Sequence, residues 1–190
     1  LKTLVCQRAA LAKMRGQLKT MTHSHQTREE AVGVSLNNSF EKVQSALSIE
    51  IKDIEQQMRS YEPQTQKLLQ SIPGIGVITT ALLVAYIVDI ERFKTPEKLV
   101  AYIGLDSRVH ESGTSIKGKG YMTKRGNKYL RHVLFMAAFV ATKKNPVLKK
   151  YFKKKTSEGK HYFSALCAVE RKLVHIIYAV WRRGTPFRKP

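Results

Sequence analysis

"FEKVQSALSIEIKDIEQQMRSY", residues 40–61, decides the fold class. Phe40, Val43, Leu47, Ile51, Ile54, Met58 and Tyr61 recur at intervals of three or four, with mostly charged and polar residues between them. That recurrence lays one apolar stripe along a long helix; a half-buried strand would alternate every second residue. Upstream, Leu4, Leu11, Met14, Leu18 and Met21 follow an approximately heptad spacing, so residues 1–22 read as another helix, joined through a polar connection over 23–38. Two such helices fold back as an antiparallel hairpin or offer the stripe to a second subunit, and the pattern serves both arrangements.

Helical signals continue downstream. Pro63 lacks an N–H and disfavours helix at Glu62, so the long helix stops there. A short helix around Lys67–Leu69 leads into "SIPGIGVITTALLVAYI", residues 71–87, a tight Pro-Gly turn followed by an apolar helix from Val77 to Val88. Thr95 and Pro96 open another short helix, and Gly104 ends it. Helix returns over Lys128–Thr142, where Leu130, Leu134, Ala137, Ala138 and Ala141 form a small-residue packing face. Asn145-Pro146 starts the next helix. The last one, Tyr162–Arg182, buries Leu166, Val169, Leu173, Ile176, Ile177 and Val180 and stops at Gly184. No strand pattern stands out. The expected fold is all-α: a coiled-coil-like helical connector over 1–62, then a compact helical domain over 63–190 with a helix-hairpin-helix-like turn and a long basic loop.

Charge narrows the partners. The 190 residues carry 34 Lys and Arg against 14 Asp and Glu, a formal net charge of +20. Such an imbalance opposes compaction and draws polyanions, and nucleic acid is the partner that fits best. The longest apolar run, near residues 81–90, is too short to span a bilayer, and no secretory signal is visible. Cys6 and Cys167 suggest free thiols in a reducing cytoplasm rather than a disulfide framework. No group of acids, histidines or cysteines has metal-ligand spacing, so no metal site or cofactor is expected within this chain.

Two segments carry candidate chemistry. In Pro73-Gly74-Ile75-Gly76, Gly74 and Gly76 would let the backbone approach a phosphate, with the free N–H groups of the next helix behind them. The same four residues also suit an ordinary tight turn between helices. The second segment is "HESGTSIKGKGYMTKRGNKYLR", residues 110–131. Lys117, Lys119, Lys124, Arg125, Lys128 and Arg131 form a candidate phosphate-binding surface, with Gly113, Gly118 and Gly120 supplying backbone freedom. Ser112 stands beside those cations, which suit the charge that develops when a hydroxyl attacks a phosphodiester. Spacing alone does not separate Ser112 from Ser107 or Ser115. A purely nucleic-acid-binding helical module without chemistry is the alternative reading.

The order of the motifs is itself informative. "SIPGIG", "RFKTPEKLVAYIGL", "ESG", "KGKGYMTKRGNKYLRHVLFMAA" and "ERKLVHIIYAVWRRGTPF" together resemble the C-terminal part of the DEDD-type insertion-sequence transposases related to the Piv DNA invertases. The resemblance spans roughly residues 65–187, and residues 1–62 resemble the coiled-coil region before it. It implies a prokaryotic, nucleoid-associated recombinase acting on DNA, with a homo-oligomer held through the coiled coil. It implies that Ser112, in Ser112-Gly113, is the nucleophile that forms a covalent phosphoserine–DNA intermediate. It also implies an N-terminal RuvC-like domain with magnesium-binding acids, expected outside this chain, and in some members a structured guide RNA. Ser107 departs from the pattern, which places a proline two residues after Gly104-Leu105.

Overall fold

The computed structural model describes residues 1–26, 31–108, 111–112, 116–117, 121–122 and 125–188, with backbone alone for 25–26, 31–37 and the described residues of 107–122. The chain divides into two compact units, Leu1–Tyr61 and Glu62–Pro190.

The first unit pairs α1 (Lys2–Gln26) with α2 (Ala31–Arg59). Arg8 bonds Glu55 at 2.9 Å, Arg15 donates to the Ser48 hydroxyl at 3.4 Å, and Gln44 donates to the Thr22 hydroxyl at 2.9 Å. The partner numbers fall as α1 advances, so the two helices run antiparallel as an internal hairpin. Ile51, Ile54 and Met58 of the α2 stripe are buried, as is Val5 of α1. Of the expected α1 stripe, Leu4, Leu11 and Leu18 are half-buried, and Arg8, Arg15 and Thr22 take the other seam positions. Met14 and Met21 face outward, 54% and 47% exposed, and so do Val43 and Ile49 of α2. The connection expected over 23–38 is helical at both ends, since α1 continues to Gln26 and α2 begins at Ala31.

The second unit holds α3 (Pro63–Gln70), α4 (Val77–Ile87), a 3-10 turn (Ile90–Arg92), α5 (Pro96–Ile103), α6 (Lys128–Lys144), α7 (Pro146–Ser157) and α8 (Tyr162–Arg183). Helix α4 is covered nearly all round: Thr79 to Ala85 and Ile87 are buried. The Thr80 hydroxyl stays satisfied in that setting by donating to the Val77 carbonyl at 2.8 Å. Helix α8 buries Leu166, Val169, Leu173, Ile177 and Val180 as its pattern predicts, while Ile176, expected with them, is half-buried at the edge of that face. Local signals set most helix ends. Pro63, Pro96 and Pro146 occupy first-turn positions, where a missing N–H costs nothing. Asn127 caps α6 by accepting from the Tyr129 and Leu130 N–H groups, and Asn145 does the same for Val147 and Leu148 of α7. Gly104 and Gly184 stop α5 and α8 in the left-handed region.

The helical reading holds for the core, but the basic loop adds β-structure that its composition did not announce. Strands β1 (Ser107–Arg108) and β4 (Tyr121–Met122) pair antiparallel, and so do β2 (Glu111–Ser112) and β3 (Ile116–Lys117). Ser107 faces Met122, Glu111 faces Lys117, and Ser112 faces Ile116. The ribbon segment, residues 107–122, holds both ladders, the second inside the first in sequence and each a separate two-stranded sheet.

Candidate nucleic-acid interface

The ribbon grows from a narrow base. Helix α5 ends in a Schellman arrangement: Gly104 N–H donates to the Ala101 carbonyl at 2.9 Å and Leu105 N–H to the Val100 carbonyl at 3.0 Å. Gly104 adopts φ 83°, and a Cβ there would lie 2.5 Å from the Gly126 nitrogen. A Cβ on Gly126 would come within 2.2 Å of the Ile103 carbonyl carbon. Only two glycines permit so close a backbone contact, and it ties the start of the ribbon segment to its end. Arg131 adds a clamp: its Nη1 donates to the Ile103 carbonyl at 3.0 Å. That places a guanidinium at the C-terminal end of α5, where the helix dipole favours a cation.

Behind this neck, on α8, lies Glu170, only 2% exposed, with its Oε1 lacking a hydrogen-bond partner. Burial pushes its carboxyl up to about 8, while the Arg131 guanidinium pulls in the opposite direction. At neutral pH the side chain is therefore mainly the neutral acid. Glu170 is not among the residues that the sequence pattern singles out. Its position, four residues after Leu166 and three before Leu173, lies within the buried stripe and was the available signal.

The expected site residues separate into groups. Ser112 and Lys117 are placed by their backbone in β2 and β3, and Ser112 is the last paired residue before 113–115. Ser107 stands in β1, nearer the neck. Gly113, Ser115, Lys119 and Lys124 lie outside the described residues, as do Gly118 and Gly120. Arg125 and Lys128 are exposed at the ribbon's return into α6, with Lys128 Nζ 5.2 Å from the Tyr129 ring centroid. Arg131 is half-buried in the neck clamp.

The two glycines of the Pro-Gly turn have different surroundings. Gly74 has φ 107°, and a Cβ there would lie 2.7 Å from Ala141 Cβ and 2.9 Å from Ala141 Cα, so its bareness serves contact with α6. Gly76 is exposed, has no atom within 4 Å of a built Cβ, and opens α4 without a side-chain cap. The turn also receives the tail of the chain: Ser71 Oγ accepts from the Phe187 N–H at 2.8 Å. Among the described residues, no three His, Cys, Asp or Glu side chains gather as metal ligands, and no helix is long and apolar enough to cross a membrane.

A strongly cationic helical domain carrying a glycine-necked β-ribbon is thus the class of protein that the fold and the site define. Residues 66–153, a stretch that encloses the neck and the ribbon segment, match the family model described as Transposase IS116/IS110/IS902 family. Across 187 residues it is 33% identical to the pilin gene-inverting protein of Moraxella lacunata, over 95% of this chain and 58% of that one. It is 30% identical over 166 residues to an insertion element IS110 protein of Streptomyces coelicolor, covering 83% of this chain and 41% of the relative. It is also 31% identical over 171 residues to the transposase of insertion sequence element IS1111A from Coxiella burnetii, covering 84% and 46%. The chain spans about half the length of these curated relatives.

Proposed function

We propose that this chain is the nucleic-acid-binding, nucleophile-bearing part of a DNA transposase or site-specific recombinase. The observation that carries the reading is the position of Ser112: the last paired residue of a cationic ribbon whose base is fixed by Gly104, Gly126 and Arg131. A β-ribbon fits a DNA groove, and a fixed base limits where its far end can reach. In the proposed step the Ser112 oxygen attacks a backbone phosphorus. A serine–phosphate bond forms, the bond to one sugar oxygen breaks, and that departing oxygen takes up the serine proton and leaves as a hydroxyl. Lys117 in β3 and Arg125 and Lys128 at the start of α6, with Lys119 and Lys124 between them in sequence, offset the charge that grows on the phosphate. The exposed start of α4 at Gly76 adds backbone N–H groups for a neighbouring phosphate.

Gly74 and Gly113 enter the reading as conformational elements: Gly74 seats the turn on α6, and Gly113 follows the nucleophile. The same cations suit a structured guide RNA, which the resemblance implies for some members. The outward Met14, Met21, Val43 and Ile49 offer a surface through which the first unit would associate with a second copy. The magnesium-binding acids that the resemblance implies find no fitting ligand set among the described residues, and none of these steps passes through them.

The test is covalent capture. The intact protein, incubated with DNA containing the ends of its element, is expected to give a denaturant-resistant protein–DNA adduct. Ser112→Ala should abolish that adduct, and Ser107→Ala and Ser115→Ala should retain it. An adduct that survives in Ser112→Ala removes the nucleophile assignment. DNA binding with no adduct in the wild type favours the binding-only module.

A further inference from the structure

The densest charge in the chain lies outside the ribbon. Residues 143–160 hold eight lysines and a single acid, Glu158. Glu158 is already paired, with Lys155 Nζ 2.7 Å from its carboxylate. Helix α7 sorts this charge by face. Leu148 is fully buried and seats the helix on the domain, whereas Lys149, Lys150, Lys153 and Lys154 are all exposed. At about 100° per residue these four cover roughly 140° of the helix circumference, with successive pairs one turn apart, about 6 Å along the axis. No structural need of the helix explains so many like charges on one face, since like charges at this spacing repel.

Beside this face stands a ledge of aromatic rings. Tyr162 and Phe163, at the start of α8, are 44% and 59% exposed. Neighbours hold both rings in place. Tyr162 meets Phe152 of α7 edge-on at 5.4 Å, Phe163 stacks with Phe135 of α6 at 6.5 Å, and the two rings meet edge-on at 5.5 Å. Phe152 comes three residues after Lys149 and one before Lys153, neighbouring positions on α7, so the ledge and the cationic face meet at that residue.

We propose that the α7 face and the Tyr162–Phe163 ledge form a second nucleic-acid surface, separate from the ribbon, that takes an unpaired strand. The lysines take its phosphates, and an exposed ring takes the face of a base. Charge complementarity supplies the first half of the argument. The exposed, pre-positioned rings supply the second, because duplex phosphates have no use for them whereas unpaired bases stack on them regardless of sequence. A membrane surface fits less well: a basic amphipathic helix binds lipid through its apolar face, and in α7 that face is the one Leu148 commits to the core.

The surface is tested by fluorescence anisotropy of the full chain with a labelled single-stranded homopolymer of 20 nucleotides, titrated across salt concentrations. The double substitution Lys149→Ala and Lys153→Ala should weaken binding and lower the steepness of the log–log salt dependence by about 1.4, the expectation for two lost single-strand phosphate contacts. Phe163→Leu keeps an apolar side chain on Phe135. It should weaken the strand by about fivefold to a hundredfold with the salt steepness unchanged, and it should change the affinity of a blunt duplex far less. Unaltered single-strand affinity in both variants overturns the proposal. So does an equal loss for strand and duplex in Phe163→Leu, or lysine-dependent binding to anionic phospholipid vesicles with none to the oligonucleotide. These measurements read binding without cleavage, so they stand or fall separately from the chemistry assigned to Ser112.

Discussion

Glu170→Gln should separate from the wild type only as the pH rises. An unfolded chain leaves this carboxyl near its ordinary value of 4.5, whereas burial in the folded domain raises it to about 8. Between those values the folded state holds a proton that the unfolded state has lost. The stabilising contribution of the neutral acid is therefore fully present below pH 4.5 and is lost progressively as pH climbs through 8. At about 1.4 kcal/mol per pH unit, the loss is about 3 kcal/mol by pH 7 and on the order of 5 kcal/mol above pH 8. Glutamine keeps the size and neutrality of the protonated acid and carries no such dependence. The other titrating groups are common to both proteins and cancel in the difference. The assay is urea unfolding at pH 5, 7 and 8.5, followed by the fluorescence of Trp181, the sole tryptophan, which lies on the same helix as Glu170. The two proteins should be nearly equal at pH 5, and the variant should be clearly more stable at pH 8.5. A gap independent of pH refutes the buried neutral acid. A wild type that gains on the variant as pH rises means that the carboxylate forms an ion pair with Arg131.

The neck and the outward face of the first unit make further predictions. Gly126→Ala puts a methyl group 2.2 Å from the Ile103 carbonyl carbon, so it should cost about 1–3 kcal/mol in urea unfolding, the usual range for overpacking; a change within error would show that the neck yields. Val43→Glu with Ile49→Glu, at exposed α2 positions, should reduce the assembled mass measured by light scattering while leaving helical circular dichroism unchanged. An unchanged mass would show that this face does not hold subunits together.

Much of the helical frame was legible because its signals are local. Asn127, Asn145, Gly104, Gly184 and the first-turn prolines each act within a few residues of the boundary they set. The middle of the α2 stripe was equally plain, since Ile51, Ile54 and Met58 repeat with the helix period and are buried, whereas Val43 and Tyr61 of the same pattern are exposed. The partner face of α1 was legible in part: Leu4, Leu11 and Leu18 are half-buried as expected, but Arg8, Arg15 and Thr22 take the other seam positions through hydrogen bonds to α2, and polar side chains leave no hydrophobic period. The ribbon was hidden for another. Its ladders join residues up to 15 positions apart (Ser107 with Met122) in a stretch rich in glycine and lysine, where neither propensity nor alternation points to a strand. The Gly74 turn carried two readings in sequence, and the contact with Ala141 that gives its bareness a packing role is not visible there. The α7 lysines, plain in sequence, stand in two runs on either side of Tyr151 and Phe152. It is the helix that gathers four of them onto one face.

The meeting of Gly104 with Gly126 has a consequence for how such a domain diversifies. A chain that departs and returns through a single point leaves its supporting body indifferent to what is carried in between. Lengthening that excursion adds only a slowly growing closure entropy, about 0.6 kcal/mol for each doubling. Tips of different length or reach could therefore be exchanged as cassettes, provided both glycines stay, so that selectivity toward the bound molecule can drift while the helical chassis is kept.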